Sequence, residues 1–177
     1  PRAEQSAVLE RLDLPPGGYA VVTLHRPSNV DSGRSLARLI GALREIGRAL
    51  PVVFPVHPRT EHALTAAGLS LDGLRTIPPL GYLDFLCLLS RTRLVLTDSG
   101  GIQEETTVLG VPCLTLRHNT ERPLTIEHGT NRLVGVDPDR ILAVAREVLS
   151  APSSPAPSPP LWDGHAAARI LDVLQAV

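Results

Sequence analysis

The 177-residue sequence contains neither lysine nor methionine. Its 17 basic residues are therefore all arginine, set against 18 acidic ones, and the net charge is −1. This balance leaves no field of one sign to hold nucleic acid or an anionic membrane by bulk attraction, although a local anion site stays open. The lysine-free, Ala- and Pro-rich usage reads as compositional drift, not chemistry. Aromatic residues are only 3% of the chain, so aliphatic side chains must build the core. Apolar runs such as Leu94-Val95-Leu96 fall far short of the roughly 20 residues that a membrane-spanning helix needs. The two cysteines, Cys87 and Cys113, each sit in an apolar stretch. Buried thiols are expected there, not a disulfide framework, and a cytoplasmic location follows. The opening Pro1-Arg2-Ala3-Glu4 carries no secretory pattern, and without an initiator methionine a processed or cut piece is expected.

Hydrophobic residues at 43% and charged residues at 20% describe one globular domain with a sizeable core. Helical spacing ends with Ser6–Leu14, before Pro15-Pro16-Gly17-Gly18. It recurs over Ser35–Leu50, Arg59–Ala67, Tyr82–Leu89, Gly100–Leu109, Pro138–Ser150 and Gly164–Val177. Apolar runs predict strands at Tyr19–Leu24, Val52–Val56, Leu74–Ile77, Leu94–Thr97 and Val111–Leu116, with a sixth at Arg132–Gly135. His25–Gly33 reads as a polar loop. The Pro/Ser-rich Ala151–Pro160 can pack as neither helix nor strand and reads as a mobile linker. Strands that are nearly continuous apolar runs, alternating with helices, predict a doubly wound, Rossmann-like α/β domain with helices on both faces of a parallel sheet.

Ligands of such sheets bind where the strands end. Four predicted strands deliver ionisable residues to that one rim: His25-Arg26, His57-Pro58-Arg59, Asp98-Ser99-Gly100-Gly101, and Arg117-His118-Asn119-Thr120-Glu121-Arg122. A purely structural sheet would need only turn formers there, and these residue types suit an anion. Ser99 is a good N-cap, and Gly100 and Gly101 would let a phosphate approach the free N–H groups of a helix start. A capped turn without ligand is the alternative. Neither GxGxxG nor GxxxxGK[ST] occurs. Glu105 lies one turn further on, where its carboxylate could accept hydrogen bonds from a ribose diol or, like Glu104, merely offset the helix dipole. His25 and His57 are either hydrogen-bonded loop residues or, beside Arg26, Arg117 and Arg122, ligands of a diphosphate. HExxH and paired Cys/His spacings are absent, so no metal is expected. Ser99 lacks the G-x-S-x-G context of a hydrolase nucleophile.

Thr23-Leu24-His25-Arg26, Pro55-Val56-His57-Pro58, Asp98–Glu105, Arg117–Pro123, Gly129–Gly135 and Trp162–Ala167 occur in one order. In that order they resemble the C-terminal half of the non-hydrolysing UDP-N-acetylglucosamine 2-epimerases, over nearly the whole chain. The resemblance implies the second of two Rossmann-like domains in a GT-B arrangement. Residues 1–150 would form the UDP-binding domain, with 1–14 the helix entering from the first domain, 151–160 a loop and 161–177 a C-terminal helix that crosses back. It also implies interconversion of UDP-GlcNAc and UDP-ManNAc by elimination and re-addition of UDP, without cofactor, in cell-envelope polysaccharide synthesis. Ser99, Gly100 and Gly101 would hold the diphosphate and Glu105 the ribose, and Phe85 would lie by the uracil. His25 would be the essential histidine, and with Arg26 it would face the departing UDP. His57, Arg117 and Arg122 would complete the UDP site. The acids that move the C2 proton belong to the first domain, so this chain should bind UDP without epimerising. Where the family has His-Arg-x-Glu-Asn, this chain has Ser28 in place of the acid. A glycosyltransferase half-domain and a non-catalytic UDP-sugar sensor are the competing readings. Without a first domain, the last helix is expected to pack on its own domain or on a second copy in a homodimer.

Overall fold

Six short strands, most of them rich in Val, Leu, Thr or Ile, lie side by side in one sheet in a computed structural model that describes residues 2–152 and 159–176. They are β1 (Ala20–Thr23), β2 (Val52–Pro55), β3 (Arg75–Ile77), β4 (Leu94–Thr97), β5 (Cys113–Thr115) and β6 (Asn131–Leu133). Every pairing is parallel, and the order is β3-β2-β1-β4-β5-β6. This is the doubly wound order, in which the chain reverses direction across the sheet between β1 and β4.

The helices are α1 (Val8–Arg11), α2 (Pro27–Val30), α3 (Gly33–Gly47), α4 (Pro58–Ala66), α5 (Tyr82–Ser90), α6 (Gly100–Leu109), α7 (Pro123–Glu127), α8 (Pro138–Ser150) and α9 (Ala166–Gln175). Side chains on a strand alternate faces. Ala20, Val22, Phe54, Leu94, Leu96 and Leu114 accordingly pack with Leu36, Leu39, Ile40 and Leu43 of α3 and with α8 on one face. Tyr19, Val21, Val53, Val95 and Cys113 pack with Val8 and with Cys87, Leu88 and Leu89 of α5 on the other. Burying each such aliphatic side chain contributes about 1.5–3 kcal/mol. Both cysteines are free and buried, and burial pushes the Cys113 thiol up to about 12. Among the described residues no helix is long and apolar enough to cross a membrane.

The elements differ from the sequence reading in a few places. The His25–Gly33 loop contains α2, a single turn started by Pro27 and closed by the Asn29 and Val30 N–H groups on the Arg26 carbonyl. One turn is too short to show a period. Of the helix read over Ser6–Leu14 only α1 forms, preceded by a short 3-10 helix at Ala3–Gln5, and α7 was not expected at all. Of the linker read at Ala151–Pro160, residues 153–158 lie outside the described residues. No residue of α9 is buried. Its Ile170, Leu171, Val173 and Leu174 are 57–67% exposed, so of the two expected packings of this helix, on its own domain or on a second copy, the first is not seen.

The loop between α7 and β6 is tightly packed. A Cβ at Gly129 would stand 2.5 Å from the Thr125 carbonyl oxygen and 2.6 Å from the Thr107 side chain. Gly129→Ala is expected to lower unfolding free energy by about 1–3 kcal/mol, the usual effect of overpacking. A shift of the urea midpoint at unchanged slope would show it.

Candidate functional site

At the point where the strand order reverses, β1 and β4 end side by side. Thr23 and Thr97 face each other across the pair, with their hydroxyl oxygens 2.6 Å apart. The next residue on β4 is Asp98, which is wholly buried. Its carboxylate accepts the backbone N–H groups of His25 (3.0 Å) and Arg26 (2.9 Å) and the Asn29 amide (3.2 Å). His25 Nδ1 lies 3.0 Å from it as well. Burial alone would raise the Asp98 pKa, but the His25 and Arg26 hydrogen bonds outweigh it and hold the carboxyl below its usual range. Asn29 also donates to the Leu116 carbonyl at 2.9 Å. One buried carboxylate and one amide thus tie together the ends of β1, β4 and β5. The proton on His25 Nδ1 is assigned from this geometry, and it leaves Nε2 as the ring nitrogen without a polar partner among the described residues. Ser28 is exposed on α2 and takes no part in these bonds.

His57 is exposed and caps α4, its Nδ1 accepting from the Arg59 N–H at 3.2 Å. Its ring centre is 5.9 Å from that of His25, so the two histidines do meet at the rim. Ser99 caps α6 as expected, through a long 3.5 Å bond from the Ile102 N–H. Gly100 and Gly101 have ordinary helical backbone. A Cβ at either would meet nothing closer than 3.8 Å. The fold therefore does not require glycine at these positions, where it weakens a helix.

Below this turn runs a buried amide network. Gln103 donates to the Ser99 carbonyl (3.1 Å) and accepts from the Thr120 hydroxyl (2.5 Å) and the Asn131 amide (3.1 Å). Asn131 in turn accepts from the Thr115 hydroxyl at 2.6 Å. The network fixes the Ser99 turn against the loop after β5.

The rim arginines are not free. Arg117 makes a two-pronged pair with Glu121 at 2.8 and 2.9 Å, Arg26 lies 3.8 Å from the same carboxylate, and Arg122 pairs with Glu104 at 2.9 Å. Glu105, half-buried, has its pKa raised by burial, against a hydrogen bond from the Tyr82 hydroxyl and with a further push from Glu104. Phe85 is half-buried against the core beneath α5. All ten site residues expected from the sequence thus lie on elements that end or begin at this edge. Asp98 as the organising carboxylate, Asn29, Gln103, Asn131, Tyr82 and Glu121 were missed as partners. Asp98 and Glu121 carried a sequence signal, their places in the segments that follow apolar strands. A groove of about 790 Å³ at the opposite edge is lined by Arg93 and Arg132 among others. It gathers no comparable set, since Arg93 donates to the Leu149 and Ala151 carbonyls and Arg132 pairs with Glu147.

Fold and rim together define a Rossmann-like domain with ionisable side chains gathered at the switch point. The family model described as UDP-N-acetylglucosamine 2-epimerase matches residues 1–175. The UDP-N-acetylglucosamine 2-epimerase of Methanococcus maripaludis is 39% identical over 163 residues, which is 88% of this chain and 44% of that protein. A Pseudomonas aeruginosa UDP-2,3-diacetamido-2,3-dideoxy-D-glucuronate 2-epimerase is 44% identical over 133 residues, 75% of this chain and 37% of that one. The crystal structure of Methanocaldococcus jannaschii UDP-GlcNAc 2-epimerase in complex with UDP-GlcNAc and UDP superposes with a TM-score of 0.85 at 36% identity. That match covers 99% of this chain and 50% of the other. The chain belongs to the UDP-N-acetylglucosamine 2-epimerase family, and it spans about half the length of these relatives, corresponding to their C-terminal half.

The lowered pKa of Asp98 has a stability consequence. A carboxyl more acidic in the folded chain than in the unfolded one adds stability above its unfolded pKa, and that stability is lost as pH falls through the folded value. Asp98→Asn is expected to cost about 1.5–3 kcal/mol at neutral pH, the range for hydrogen bonds to a charged group. The gap between variant and parent should close as pH drops below about 4. Urea titrations of both proteins across that range check it, and a gap independent of pH would contradict the assignment.

Proposed function

We propose that this chain is the UDP-binding, C-terminal half of a 2-epimerase acting on a UDP-linked N-acetylated sugar, and that it binds UDP without epimerising by itself. The observation that carries the reading is the pair Gly100-Gly101. Two glycines that the fold does not require open α6 at the switch point, among His25, Arg26 and Arg117, and their missing side chains make sense if a diphosphate approaches the backbone N–H groups. The names of the Methanococcus and Pseudomonas relatives share UDP and differ in the sugar, which supports assigning the nucleotide half to this domain.

In this reading Ser99, Gly100 and Gly101 hold the diphosphate. Glu105 accepts the ribose hydroxyls, which would relieve the desolvation that raises its pKa. Phe85 borders the uracil, and His57, Arg117 and Arg122 complete the UDP contacts. His25, oriented by Asp98, presents Nε2 to the departing diphosphate, and Arg26 assists. The groups that move the C2 proton come from an N-terminal domain. Residues 1–150 then constitute the UDP domain, with residues 1–14 arriving from that partner, 151–160 a connecting loop and 161–177 returning to it. The exposed apolar side of α9 supports the return. The whole enzyme would act in the cytoplasm, supplying cell-envelope polysaccharide synthesis.

Calorimetry with UDP should show binding, while UDP-GlcNAc should stay unchanged in an NMR assay. Formation of UDP-ManNAc by this chain alone would overturn the division of labour. Glu105→Ala is expected to cost about 1.5–3 kcal/mol of UDP affinity and Glu104→Ala much less, with part of the Glu105 loss reproduced by deoxyuridine diphosphate. Equal effects of the two variants would favour dipole compensation. Gly100→Ala should leave the melting temperature undiminished yet weaken UDP binding, which separates a ligand role from a folding role.

A further inference from the structure

Glu121 stands where an anion would be received. Its two carboxylate oxygens take both prongs of the Arg117 guanidinium, at 2.8 and 2.9 Å. One of them lies 3.8 Å from Arg26, and the other would be 3.8 Å from a Cβ at Gly100. The carboxylate therefore sits between two arginines at the opening of α6, using the two-pronged geometry that guanidinium groups offer to phosphates. The two partners differ in freedom. The Arg117 side chain is only 12% exposed, whereas that of Glu121 is 53% exposed, on a surface loop. The arginine is fixed and the glutamate can swing out.

Resting on the reading of this rim as a UDP site, we propose that Glu121 is an internal competitor of the diphosphate. It occupies the Arg117–Arg26–Gly100 position, is displaced when a nucleoside diphosphate binds, and so sets how much anionic charge a ligand must bring. Hydrogen bonds from Arg117 and then from the glutamate's own backbone N–H, with a smaller push from the Arg26 charge, hold the Glu121 pKa down to about 2, so the competitor keeps its charge throughout the neutral range. A diphosphate brings more charge and more acceptor oxygens than a carboxylate and wins the exchange. A monophosphate has less in hand, and an uncharged nucleoside cannot drive it. The pair gives the largely covered Arg117, which otherwise donates only to the Asn119 side chain at 3.1 Å, a charged partner, and it discriminates among ligands of one base by their phosphate number.

The sign of the expected effect is unusual for a residue at a binding site. Glu121→Gln keeps the shape and removes the charge, and it should tighten UDP binding about two- to fivefold, the worth of one part-exposed ion pair no longer to be broken. UMP should gain at least as much, and uridine should be unchanged. Calorimetry of the parent chain, Glu121→Gln and Glu121→Ala with the three ligands reads this directly, and melting curves confirm that the variants fold. Unchanged or weaker UDP binding by both variants overturns the proposal and makes Glu121 a support that holds Arg117 for the ligand. A parent chain that gives no binding to UDP removes the nucleotide reading itself, and this proposal with it. That result is distinct from a parent that binds UDP and variants that fail to tighten.

Discussion

Between the ends of β1 and β4 an ionised carboxylate sits out of reach of water, and four donors make that tolerable. An uncompensated buried charge costs several kcal/mol. Asp98 avoids the penalty by accepting from the His25 and Arg26 backbone, the Asn29 amide and the His25 ring. The same bonds shape the chain after β1. They turn it into α2, hold the His25 ring in one orientation and bring Arg26 back toward α6. Asn29 carries the link on to the Leu116 carbonyl at the end of β5. The histidine, the arginine and the Ser99 turn are thus placed relative to one another by a single charge.

The second support is neutral. Gln103 and Asn131 lie beneath the Ser99 turn and join α6 to β5, β6 and the loop at Thr120 through buried hydrogen bonds. Buried amides must be satisfied or they destabilise, so the turn, the loop and the start of β6 keep one arrangement together. Gly129 is part of the same packing, at the point where the chain passes against Thr125 and Thr107. Above this layer the arginines and glutamates pair at the surface, where partners can be exchanged at little cost. The rigid part of the site is buried and the exchangeable part is exposed.

Period and punctuation made most of the fold legible. The apolar runs of β1, β2 and β4 and the spaced leucines of α3 follow directly from burial on both faces of a parallel sheet, and Gly110, in the left-handed region, ends α6 where the sequence pattern places the stop. Parallel strands all finish on one edge, so the convergence of His25, His57, Asp98, Ser99 and Arg117 is legible from their positions just after the apolar runs. α2 and α7 are not legible in that way, because one turn has no period and each depends on contacts made by distant segments.

The sequence alone determined the class of fold, the edge that carries the site and the residue types gathered there, since these follow from local patterns and from the geometry of a parallel sheet. Only the tertiary structure decided which groups are paired. Nothing in the spacing of Asp98 and His25, or of Arg117 and Arg26 with Glu121, states that one carboxylate serves the former as anchor and another holds the latter as an exchangeable partner. That depends on β1 lying beside β4, on depth of burial, and on which side chains a close-packed edge leaves free to move.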